Sequence, residues 1–226
     1  MRSWAVASVL IATSLVTSPV WAVPEAMGPP PSGDEAGQSA GSYEEGLKLV
    51  EQADQALADA SKETDAARRE EATKVALETY SQARNLFEQL TRSDPTLPGG
   101  WNMLGYCERK LGNYDAALDA YRRALTLRPT YAEAIAYRGE AYLGLNQIAA
   151  AKQAYLDLFP LNQTLAAQYL DAMRAWIATR RQAPAGLQAS TLDRLEQWIN
   201  ERAKIAATTT ALTREGAAEH WRHAQQ

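Results

Sequence analysis

Any chemistry in this chain would have to come from a handful of residues. Glu219, His220 and His223 have the spacing of metal ligands on one helix. They stand in a polar tail, however, and a zinc site wants at least three protein ligands in a shielded pocket. A solvated tail is the simpler reading, so no metal and no other cofactor is expected. Cys107 is the single cysteine; it has no obvious histidine partner, cannot form an internal disulfide and reads as a small buried thiol. The sequence has no nucleophile elbow, no phosphate-cradling glycine loop and no paired-histidine zinc helix. What remains is a face for recognition. Asn102, Tyr106 and Arg109 fall at i, i+4 and i+7, so one helix would present them together. Tyr106 offers a ring with a hydroxyl, and Arg109 can take a carboxylate through two parallel hydrogen bonds. Such a set binds without reacting, and the chain is expected not to be an enzyme.

The stretch that must position these residues runs from Trp101 to Pro129. Trp101, Leu104, Gly105 and Glu108 recur at helical spacing, and Tyr114, Ala117, Leu118, Tyr121, Ala124 and Leu125 form a second stripe. Between them, Leu111-Gly112-Asn113 supplies a left-handed helix end, and Pro129 stops the second helix. This is a helix hairpin that cannot bury its own apolar stripe and needs neighbours. A frame shift of 34 residues finds them. Forward, Gly105 falls on Gly139, Ala117 on Ala151, Tyr121 on Tyr155 and Ala124 on Leu158; backward, Tyr114 falls on Tyr80, Ala117 on Ala83, Tyr121 on Phe87, Ala124 on Leu90 and Pro129 on Pro95.

At these positions the chain resembles the tetratricopeptide-repeat family of exported bacterial type, strongly over 98–131, well over 132–160 and over one helix at 79–95. Glu108 stands where the family has an aromatic, and Arg138 where it has a leucine, which requires its guanidinium to be paired or carried to the helix edge. The resemblance implies that Gly105 and Gly139 let the two helices of each hairpin approach closely. It also implies a concave groove lined by the first helix of each repeat: Asn102, Tyr106, Arg109 and Lys110, then Glu133, Ala136, Glu140 and Leu143. Arg109 and Lys110 against Glu133 and Glu140 predict a partner segment carrying both signs, or an extended polar peptide. The family's carboxylate-clamping mode is not matched, since only Asn102 fits it and the two glutamates would oppose an anion.

Composition narrows the class further. The formal charge of −4 provides no basic stripe for counterion release, which argues against nucleic acid as a partner. Residues 1–22 read as a signal peptide: Arg2, an apolar run from Trp4 to Val16, and a small-residue cleavage site at Val20-Trp21-Ala22. That run is too short for a permanent membrane helix, so no stable membrane insertion follows its removal. Loss of Arg2 leaves 22 basic against 27 acidic residues, a charge near −5. A periplasmic location is expected, with secretion as the alternative.

Residues 23–42, with four prolines and four glycines, are expected to form a disordered linker. A divergent first hairpin follows over 43–95, broken within the charge run 61–71 and capped by Ser61 or Thr64. The repeats occupy 98–131 and 132–160. Residues 164–207 read as two capping helices that cover the exposed stripe of the last hairpin, and 208–226 as a polar tail that frays. The fold class is therefore all-α: a tetratricopeptide-type solenoid of helix hairpins with C-terminal capping helices. Its expected work is binding a protein or peptide as a scaffold. The alternatives are a self-associating structural module or, further off, a metal-dependent enzyme.

Overall fold

A computed structural model describes the backbone over residues 34–223 and side chains over 41–209. The signal peptide and the first part of the linker lie outside the described residues, as do the side chains of Glu219, His220 and His223. Among the described residues eight helices follow one another: α1 (Asp34–Lys62), α2 (Ala66–Ser93), α3 (Pro98–Lys110), α4 (Tyr114–Leu127), α5 (Ala132–Gly144), α6 (Ile148–Leu158), α7 (Gln163–Gln182) and α8 (Ala189–His223). They pair into four successive hairpins. Each hairpin packs on the next through α2 on α3, α4 on α5 and α6 on α7, while α1, α3, α5 and α7 also touch in a row.

The turns within the two repeats are built alike. Gly112 has φ +81° between α3 and α4, and Asn146, one repeat further on, has φ +58° between α5 and α6. In both turns the third residue past the helix donates back five residues, Asn113 N–H to Glu108 O and Gln147 N–H to Tyr142 O, each at 2.8 Å. That is the left-handed helix stop in which asparagine replaces glycine at modest cost.

The first hairpin breaks where expected, between Lys62 and Ala66. Its cap is Asp65, whose carboxylate accepts from Arg68 N–H at 2.9 Å, and not Ser61 or Thr64. Helix α1 starts at Asp34, so the last residues of the predicted linker are helical. Once the packed part is nucleated, extension is cheap, and between Asp34 and Ser42 only Gly37 and Gly41 oppose it. Likewise α8 runs through the predicted fraying tail to His223.

Close glycine–aromatic packing joins the paired helices. A Cβ on Gly105 would lie 2.7 Å from the Tyr121 ring of α4. In the first hairpin Gly46 meets Phe87 in the same way, with longer helices between them. Gly139 departs from expectation: its neighbour is Tyr169 of α7, not Tyr155 of its own hairpin. The short α6 leaves space that Tyr169 fills, its hydroxyl donating to the Ala151 carbonyl at 3.0 Å. Arg138, in the leucine position, reaches Asp157 at 3.5 Å.

Two apolar clusters make up the core. One spans Val50, Tyr80, Phe87, Tyr106, Tyr121 and Tyr137; the other spans Leu143, Leu158, Tyr169, Met173, Trp176 and Leu195. Helix α5 is the wall between them, facing one with Ala134, Tyr137 and Ala141 and the other with Ile135, Ala136 and Leu143. Gly105→Ala is expected to lower unfolding free energy by about 1–3 kcal/mol through overpacking against Tyr121. Gly112→Ala, which has open space and only backbone strain to meet, should remain helical and act through the turn alone. Urea denaturation followed by circular dichroism checks both.

Candidate functional site

The first helices of three successive hairpins bring a set of charges and tyrosines together. Asp54 sits on the apolar stripe of α1, four residues after Val50 and three before Leu57, so helical spacing alone turns its carboxylate inward. It is 4% exposed. A buried carboxylate is tolerable only when its oxygens are satisfied, and three donors converge here. The Tyr80 hydroxyl from α2 donates a short hydrogen bond, the Tyr106 hydroxyl from α3 donates at 2.7 and 2.8 Å, and Lys110 Nζ lies at 2.8 Å. The ammonium also stands 5.2 Å from the Tyr106 ring centroid and 5.5 Å from that of Tyr80.

One residue away, Arg109 points to the opposite neighbour. Its guanidinium donates to Glu140 of α5 at 2.8 Å, with both side chains more than nine-tenths buried. It lies 5.0 Å from the Tyr106 ring centroid and 5.4 Å from that of Tyr137, which meets Tyr106 edge-on. Charge therefore alternates across the array: Asp54 on α1, Lys110 and Arg109 on α3, Glu140 on α5.

Burial sets the proton affinities. It pushes the Tyr106 hydroxyl well above the usual tyrosine range, with the Asp54 charge adding to it. Burial likewise lowers the affinity of Lys110, opposed by Asp54. For Arg109 burial works against the charge, but Glu140 and the surrounding tyrosines overcome it and hold the guanidinium ionised. Burial also raises Cys107 far above an ordinary thiol, so it is no nucleophile. Among the described residues no three His, Cys, Asp or Glu side chains gather as a metal site.

The sequence-predicted groove residues divide accordingly. Tyr106, Arg109, Lys110 and Glu140 come together, but their charges are met within the chain. Asn102 is buried, with its amide 3.5 Å from the Tyr131 hydroxyl. Ala136 and Leu143 lie in the core cluster shared with α7 instead of on an open face. Glu133 stays half-exposed, close enough to Tyr131 and Tyr137 to raise both hydroxyls. Sequence reading missed Asp54, Tyr80 and Tyr137 as members of this set. The one legible signal was an acid standing on an apolar stripe.

Two expectations follow. Arg109→Met or Glu140→Leu alone should cost about 3–5 kcal/mol, because each strands a buried charge, while the double variant should cost less than either; a denaturation cycle reads the difference. Tyr80, Tyr106, Tyr121 and Tyr137 all have folded affinities raised above the ordinary value of 10.0. Their contribution is intact below that pH and falls above it, by about 1.4 kcal/mol per pH unit for each, as the unfolded chain releases protons that the folded one keeps. Tyrosinate absorbance from these residues should appear only together with loss of helical circular dichroism.

Among known proteins, residues 99–131 match the tetratricopeptide repeat family. Among solved structures the chain is similar to one described as MamA MSR-1 C2, at 14% identity and a TM-score of 0.40, covering 74% of this chain and 98% of that one. The repeat supports a protein-interaction role in general, and proteins of this family are generally non-catalytic scaffolds.

Proposed function

We propose that this tetratricopeptide-repeat protein is a non-catalytic scaffold of the bacterial cell envelope, exported by residues 1–22 and binding a protein segment along the face formed by α1, α3 and α5. The observation that supports this reading best is the alternating set Asp54, Lys110, Arg109 and Glu140. It holds three first helices in fixed register, and a binding face gains when it is rigid before its partner arrives. Because those charges are already paired, the partner need not neutralise them. An extended polar segment that offers a cation to half-exposed Glu133 fits better than the doubly charged segment expected from sequence. The buried residues Asn102 and Tyr106 give this face its shape, and Lys110 its edge. No helix among the described residues is long and apolar enough to cross a membrane.

The test is a cross-linked pull-down from cell-envelope extract with residues 23–226, comparing the unaltered protein with Glu133→Lys. The variant should melt within a degree or two of the parent, as surface substitutions do, and lose the specifically captured partner. A folded Glu133→Lys protein that captures the same partners in the same yield would falsify groove binding.

A further inference from the structure

We infer that the array carries a second docking surface, where α6 meets α8, for an acidic protein segment bearing an apolar side chain. It rests on the protein-binding reading above but uses a different face. Trp198 of α8 is half-buried, its ring edge-on to Tyr155 of α6 with centroids 5.4 Å apart at 82°, and Tyr155 in turn packs against Phe159 at 5.8 Å. Two cations converge on this one indole. Lys152 Nζ lies 5.2 Å from the ring centroid and the Arg202 guanidinium 5.9 Å.

Neither cation makes an ion pair among the described residues. On the same helices Asp157 is held by Arg138, and Asp193 and Glu196 by Arg181; exposed Glu201, next to Arg202 in the chain, forms no ion pair with it. Two positive charges beside one ring are both stabilised by an anion placed near them. The flanks are apolar. Leu156, one helical turn from Lys152, is 44% exposed, and Ile205, two turns from Trp198, is 46% exposed, although the apolar stripe of a capping helix should be covered. An aromatic anchor, two unpaired cations and uncovered aliphatic edges match a segment with carboxylates around an apolar residue. The protein's net charge is negative, so attraction is local to this patch and not a long-range field.

The test is fluorescence anisotropy with a labelled peptide of glutamates flanking a central leucine, at low salt. Lys152→Gln with Arg202→Gln, which keeps most of the aliphatic stems, should weaken binding by about tenfold, a change of ~1.4 kcal/mol. Arg122→Gln with Arg123→Gln on α4, an equal loss of charge, should leave it unchanged, as should Glu133→Lys. The matching glutamine peptide should bind the unaltered protein at least about tenfold more weakly, a result independent of whether any variant folds. Equal binding of the two peptides overturns the inference, as does indifference to Lys152 and Arg202. Dependence on those two residues for phosphatidylglycerol vesicles, with no peptide binding, also overturns it in favour of a lipid surface.

Discussion

Asp54 carries an anion into the interior of the N-terminal half, and the arrangement of α1, α2 and α3 follows from what that anion requires. Its oxygens are met by hydroxyls from two different helices and by an ammonium from the second of them. Removing any one leaves charge in a poorly polarisable environment. A hydrophobic stripe alone tolerates sliding by a helical turn, since one leucine resembles the next. A carboxylate with three donors does not, because a slip of one turn strands every member. The register of the long first hairpin against the first repeat is thus set by polar contacts, although most of the area buried there is apolar.

Helix α3 extends the constraint. Adjacent residues on it, Arg109 and Lys110, turn to opposite neighbours, one toward α5 and one toward α1. With Tyr106 packed between the rings of Tyr80 and Tyr137, the helix becomes a connector. The face formed by α1, α3 and α5 is here partly filled by the chain's own side chains. That surface is preshaped, with its buried charges already balanced. The other cluster, around Tyr169 and Trp176, is tied by the Tyr169 hydroxyl to the Ala151 carbonyl and, among the described residues, by no buried ion pair.

Much of this was legible from residue spacing. The turns between successive helices, the glycine under Tyr121 and the stop at Gly112 are local properties: helix period and turn chemistry act within a few residues, and periodicity reports them, whereas the outer ends of the first and last helices lie beyond where it placed them. The 34-residue interval also announced an all-α solenoid, because a hairpin with an uncovered stripe has to stack. Less legible was the first hairpin, where Gly46 and Phe87 repeat the contact of Gly105 and Tyr121 at a much greater separation along the chain.

Composition and period by themselves determined the fold class, the helix pairs and the absence of an obvious reactive constellation in the sequence, since each depends on neighbours close in the chain. Only the tertiary structure decided what the polar residues do. Arg109 finds Glu140 thirty-one residues away, Tyr106 finds Asp54 fifty-two residues away, and Gly139 receives Tyr169 from a helix outside its own hairpin. Nothing in local spacing separates a charge that faces a partner from one that faces its own chain. The difference lies in which helices are brought side by side, and that is settled by burial of the whole array.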